Sequence, residues 1–147
     1  MKNIATLVST TFLLLATINC QSQKTLINKD ELPQTSQRFI SDHFSDYTLY
    51  YIIKKVKITK TKYKVRFRER LEIEFDEQGN WKEIDGKKMA IPTKFIQKKI
   101  GDLITEKFPN ADITKIEREK SGVIEVKLSN SLELTFNSQG DFLRIDD

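Results

Sequence analysis

"LEIEFDEQGNWKEID", residues 71–85, returns near the C-terminus as "LELTFNSQGDFLRID", residues 132–146. Laying one over the other pairs Leu71 with Leu132, Ile73 with Leu134 and Phe75 with Phe136, then Gly79 with Gly140, Trp81 with Phe142 and Ile84 with Ile145. Every pair stands 61 positions apart. The likeness continues upstream, where "LPQTSQRFISDHF" (32–44) parallels "IPTKFIQKKIGDLITEKF" (91–108), the second with about one extra helical turn. Self-similarity at a fixed spacing is the mark of a duplicated unit. The expected units are residues 30–86 and 87–147.

Each unit reads as a helix followed by four strands. Pro33 and Pro92 sit where a helix would begin, because proline suits the first turn and lacks only a donor that would go unpaired there. Ile96, Ile100, Leu103, Ile104 and Phe108 recur at helical spacing, and Phe39, Ile40 and Phe44 are the buried candidates of the first helix. The central hairpins have a register that follows from alternation. With Arg68-Glu69-Arg70 as a three-residue loop, Phe67 faces Leu71, Val65 faces Ile73 and Tyr63 faces Phe75. The other face then sets Arg66 beside Glu72 and Lys64 beside Glu74. The second copy solves the same way: Ser129-Asn130-Ser131 is the loop, and Ile124, Val126 and Leu128 meet Phe136, Leu134 and Leu132. A slip of one residue would turn every one of these apolar side chains to solvent. The expected fold is α+β, two tandem repeats, each one helix packed on a four-stranded antiparallel sheet.

Gly79 and Gly140 suit tight reversals in which glycine takes a positive φ without steric cost. A calcium loop would want acids at alternate positions before its Gly and a Glu further on. Asp76 stands without that series, so no metal is expected at this turn.

At 147 residues, with 38% hydrophobic and 31% charged residues and nine Phe, the chain can bury a core. Its N-terminus reads as a leader. Met1-Lys2-Asn3 is a short positive segment, Ile4 to Ile18 is an apolar run too short to span a membrane comfortably, and polar "QSQK" follows. Residues 1–20 are therefore expected to be an export signal and residues 21–29 a short tether, which places the mature chain in the periplasm. Cys20 closes the apolar run; "ATINC" matches only partly the small-residue box that precedes a lipid-modified cysteine. Acylation of Cys20 and simple cleavage near Cys20–Gln21 both stay open. No cysteine follows position 20, so no internal disulfide is expected. Loss of residues 1–20 removes one Lys and no acid, leaving 24 basic against 21 acidic residues, or +3. That is too mild to imply a polyanion partner by itself, and export argues against nucleic acid.

A helix opened by Pro, alternating strands, and a second hairpin of the form apolar-x-apolar-x-Phe-Asp/Asn-x-x-Gly-x-aromatic, repeated once after a leader, resembles the PepSY-like, β-lactamase-inhibitor-like family of periplasmic proteins. The resemblance covers about residues 30–147, most specifically "IPTKFIQKKIGDLITEKFPNADI" and the two phrases quoted first. It implies two tandem helix-on-sheet units and a role in binding or inhibiting proteins outside the cytoplasm, with no catalytic residues and no cofactor.

The residues themselves point the same way. His43 is the sole histidine, beside Phe39, Ile40 and Phe44, where a half-buried or surface histidine is expected. No nucleophile elbow surrounds any Ser, and zinc would need more imidazole or thiolate ligands. A basic run, Lys54 to Arg70, covers two strands with Glu69 alone among its residues to offset it. It reads either as solvated strand faces or as a positive face for an acidic protein, an anionic glycan or lipid headgroups. Tyr50 and Tyr51 are consecutive in a strand and should point to opposite faces, with Tyr47 and Trp81 nearby. Tyr, Trp and Arg dominate binding energy at interfaces, so Tyr50, Tyr51, Lys64, Arg66, Arg68 and Trp81 are the candidate binding residues. The expected function is a non-catalytic envelope module that docks a protein or peptide. The alternative is a lipid-tethered structural or anionic-ligand protein.

Overall fold

The computed structural model describes residues 23–146. The expected export signal, residues 1–20, and with it Cys20, lies outside that range. Strand β1 (Gln23–Ile27) and a short 3-10 turn (Lys29–Glu31) precede helix α1 (Gln34–His43). Strands β2 (Leu49–Lys57), β3 (Lys60–Phe67), β4 (Glu72–Phe75) and β5 (Trp81–Asp85) follow. Helix α2 (Lys98–Lys107) then leads into β6 (Ile113–Arg118), β7 (Ile124–Leu128), β8 (Glu133–Phe136) and β9 (Phe142–Asp146). All nine strands form one antiparallel sheet in chain order. Two separate four-stranded sheets were expected; β5 instead pairs with β6, Ile84 opposite Ile116 and Asp85 opposite Lys115. The joint forms because both isoleucines are buried when the strands meet, and burying such a side chain contributes about 1.5–3 kcal/mol.

The hairpin registers are those read from alternation. Tyr63 pairs with Phe75, Val65 with Ile73, Lys64 with Glu74 and Arg66 with Glu72. Ile124 pairs with Phe136 and Val126 with Leu134. The loops place Arg70 (φ 70°) and Ser131 (φ 74°), again 61 positions apart, in the left-handed region. One apolar cluster runs under both helices, from Leu32, Ile40 and Phe44 through Ile73 and Ile84 to Ile100, Val126 and Phe136.

Each helix starts on top of the turn that joins the last two of its four strands. Pro33 and Ser36 of the first helix lie against Gly79 (φ 87°), and the Ser36 hydroxyl donates to the Gly79 carbonyl. In the second, Gln97 lies against Gly140 (φ 80°) and donates from Nε2 to the Ser138 carbonyl at 3.2 Å. This explains a difference from the sequence reading at Pro92. Helix α2 has ten residues, as α1 does, and no extra turn. Its start is fixed by the Gly140 turn, so the chain from Pro92 to Gln97 crosses to it outside the helix, with Phe95 and Ile96 packed against the core.

Residues 21–29 are also more than a tether. They hold β1, which pairs with β2 from Gln23 opposite Val56 to Ile27 opposite Ile52. β1 thus holds the place on β2 that β5 holds on β6, with Ile27 opposite Ile52 as Ile84 is opposite Ile116.

Candidate functional site

Both helices cover one face of the sheet, which leaves the other face open. Strand register orders the side chains on this open face into rows. One row reads Lys64, Glu74, Glu83, Glu117, Glu125, Thr135, Arg144; the next reads Arg66, Glu72, Asp85, Lys115, Lys127, Glu133, Asp146. The face is thus a lattice of alternating charge blocks, with acids concentrated where the two halves join.

Lys64 lies 2.9 Å from Glu72 and 3.3 Å from Glu74, Arg66 pairs with Glu72, and Lys62 is 3.4 Å from Glu74. Burial pushes the Glu72 and Glu74 carboxyls up. The hydrogen bonds and charge of Lys64 outweigh it, joined by Lys87 and Arg66 at Glu72 and by Lys62 and Lys55 at Glu74, and both sit below the usual glutamate range. Four cations of the basic run, Lys55, Lys62, Lys64 and Arg66, are thus answered by Glu72 or Glu74, while Lys54, Lys57, Lys60, Arg68 and Arg70 make no ion pair among the described residues. Glu125 behaves oppositely: partial burial, then repulsion from Glu119, Glu133 and Glu117, raises it.

The candidate aromatics divide. Tyr50 and Tyr51 were expected on opposite faces, but a bulge between Leu49 and Tyr51 makes Tyr50 the extra residue. The two rings lie side by side, centroids 5.2 Å apart. Tyr51 pairs with Arg66 on the open face, Arg68 stacks over the Tyr50 ring at 5.2 Å, and Tyr50 is 59% exposed. Tyr50, Tyr51, Arg66 and Arg68 therefore gather at one corner, and Lys64 is the next residue along. Trp81 does not join them. It is 8% exposed on the helix side, between Phe39 and Phe95, with the Arg118 guanidinium 4.0 Å over its ring. Tyr47 packs on Phe44 and Phe67. His43 is half-buried against Phe39 and Phe95, and its buried Nδ1 has no hydrogen-bond partner.

One cleft was not legible in the sequence. It has a volume of about 850 Å³ at the end of the sheet and is lined by Arg70, Lys87, Lys88, Lys115 and Lys127, with Asp85 as its carboxylate. Arg70, Lys87, Lys88 and Ser131, the non-glycine residues of positive φ among those described, all line it. Lys87 and Lys88 are the central pair of the Gly86–Met89 turn, positions that favour Asn and Gly. At the Gly79 turn, Asp76 Oδ1 accepts from the Gln78 and Asn80 amides, which occupies the carboxylate in holding the reversal. Asn137 does the same for Gln139 and Asp141. Among the described residues, no group of three or more His, Cys, Asp or Glu is placed to hold a metal ion.

A meander of nine strands with two helices on one face and a charged open face on the other defines an α+β sheet protein. The chain belongs to the family described as "Putative beta-lactamase-inhibitor-like, PepSY-like", which matches residues 17–72 and again residues 61–144, consistent with a tandem arrangement. No curated protein matches it. Three solved structures are similar. One, from Bacteroides thetaiotaomicron, is described as a "putative calcium-regulated periplasmic protein"; it is 35% identical, with 84% of this chain and 97% of that one covered and a TM-score of 0.80. A second, from Bacteroides vulgatus, is described as a "putative periplasmic protein" of the DUF2874 family; it is 34% identical over 84% of this chain and 97% of its own, with a TM-score of 0.78. A third, from the same species, is described as a "putative periplasmic protein of unknown function"; it is 31% identical over 85% of this chain and 100% of its own, with a TM-score of 0.77. No helix among the described residues is long and apolar enough to cross a membrane.

Proposed function

We propose that this chain is a non-catalytic binding module of the cell envelope, a duplicated helix-plus-four-strand unit that docks a protein or peptide on its open sheet face. The observation that carries this reading is the corner formed by Tyr50, Tyr51, Arg66 and Arg68. An exposed ring, Tyr50, beside a half-buried one, Tyr51, with the guanidinium groups of Arg66 and Arg68, offers the side chains that supply most interface energy. The inhibitor-like family and the periplasmic relatives support an envelope setting. Trp81 is left out of this surface because it is buried.

The test is recovery of partners from an envelope fraction by the wild type and by Tyr50→Ala/Tyr51→Ala, followed by affinity measurement with the purified partner. A partner lost by the variant, with unchanged circular dichroism, supports the reading. Equal recovery of all partners removes it.

The second reading, an anionic ligand held near a membrane by a lipid on Cys20, gains support from the cleft of Arg70, Lys87, Lys88, Lys115 and Lys127. Binding there should weaken steeply with salt. Mass spectrometry of the mature N-terminus tests the tether: an acylated Cys20 supports it, and a start at Gln21 or later removes it.

A further inference from the structure

Strand β9 pairs with β8 on one side, Ile145 opposite Leu134, Arg144 opposite Thr135 and Asp146 opposite Glu133. Among the described residues nothing pairs with its other side. Its counterpart 61 positions earlier, β5, lies in the middle of the sheet. There Ile84, in the place of Ile145, is 0% exposed opposite Ile116 of β6, and Asp85, in the place of Asp146, stands opposite Lys115. Ile145 is 42% exposed and Phe142, in the place of Trp81, is 43% exposed. The apolar positions are the same in both strands; only the next strand differs. A strand that completed β9 would have to offer an apolar residue opposite Ile145 and a cation opposite Asp146.

β9 has both. We propose that two copies of this chain pair antiparallel through their β9 edges, about a two-fold axis normal to the sheet that passes between the two Ile145 residues. In that register Arg144 of each copy faces Asp146 of the other on the open face, and the two Ile145 side chains meet on the helix-bearing face. The two-fold keeps both helix-bearing faces on one side, so the two sheets become one. A slip of two residues would set Arg144 against Arg144, a like-charge contact that disfavours it. The opposite edge, β1, has Lys24 as its one charged residue, so a two-fold there would bring no opposite charges together.

The experiment is sedimentation equilibrium on the protein purified from the envelope fraction, comparing wild type, Arg144→Asp and Arg144→Asp/Asp146→Arg. A monomer–dimer equilibrium is expected for the wild type. Arg144→Asp turns two attractions into two repulsions and should raise the dissociation constant about tenfold. The double variant restores opposite charges and should return it to near the wild-type value. Arg144 and its own Asp146 are exposed, so their intrachain pair, 2.9 Å, contributes little to the fold, and circular dichroism confirms that each variant is folded. A monomer at every concentration up to about 1 mM, the weak end of specific association, overturns the proposal. So does growth beyond a dimer, which would mean β9 joining β1 head to tail, and so does a dimer indifferent to Arg144→Asp.

Discussion

The Ser36 hydroxyl donates a 3.1 Å hydrogen bond to the carbonyl of Gly79, 43 positions further along the chain, and this contact pins the first turn of α1 to the β4–β5 reversal. A Cβ on Gly79 would lie 2.7 Å from both Pro33 Cβ and Ser36 Oγ, at a φ of 87°. Gly79→Ala is therefore expected to cost about 2–4 kcal/mol, from the left-handed backbone and overpacking together. Gly101, inside α2, has nothing within 4 Å of a built Cβ, and Gly101→Ala should stabilise by about 0.5–1 kcal/mol. Urea unfolding of the two variants checks the pair; equal effects would show that the turn does not seat the helix.

Ser131 (φ 74°) and Lys88 (φ 77°) hold a conformation that costs a residue with a Cβ roughly 1–2 kcal/mol. Glycine at either position removes most of that cost, although it also loosens the unfolded chain. Ser131→Gly and Lys88→Gly should each raise stability by about 0.5–1 kcal/mol, a rise of roughly 2–4 °C in Tm. Scanning calorimetry reads this directly, and a fall in Tm at Lys88 would mean that its side chain holds the cleft.

Acid should expose the Lys64 network. Glu72 and Glu74 are held below their ordinary value of 4.5, with burial opposing and Lys64 prevailing. A depressed carboxyl stabilises the fold above its unfolded pKa, and this contribution is lost as pH falls through the folded value. Lys64 itself is raised above 10.5 by the same two acids against its burial, so its contribution is intact until strongly alkaline pH. Lys64→Gln should lower Tm at pH 7 and narrow its gap to wild type as pH falls below about 4.5. A gap of the same size at pH 3 and pH 7 would mean the pairs add nothing.

Glu125 should show the reverse. Burial and then the neighbouring Glu119, Glu133 and Glu117 raise its pKa, so ionisation works against the fold as pH rises through the raised value. Glu125→Gln should increase Tm at pH 7, leave it unchanged in acid below the ordinary glutamate range, and lose in high salt the part of its benefit that comes from the neighbouring acids. A variant no more stable at pH 7 would place Glu125 outside the repulsive group.

Local order was readable wherever a side chain's role depends on its near neighbours. The alternation of Tyr63, Val65 and Phe67 against Leu71, Ile73 and Phe75, with a loop of three residues, leaves one register, and that is the register found. The left-handed reversals at Gly79 and Gly140 follow from residue type. What escaped depends on distant partners. The β5–β6 joint needs Ile84 to meet Ile116 across the helix between them, and β1 is too short a strand to announce a partner. Trp81 is covered by Phe95 from a connection that looked helical. The paired faces of Tyr50 and Tyr51 turn on a bulge that alternation alone does not show.

The start of β1 has a consequence for how the molecule would stand at a membrane. Cys20 lies three positions before Gln23, and an extended chain reaches at most about 3.6 Å per residue, so a lipid on that cysteine would moor this end of the sheet within about 11 Å of the bilayer. Eight strand spacings of about 4.8 Å put the far end roughly 38 Å away. Moored so, the β9 rim would be the part of the sheet able to stand farthest from the bilayer, within reach of whatever shares the compartment.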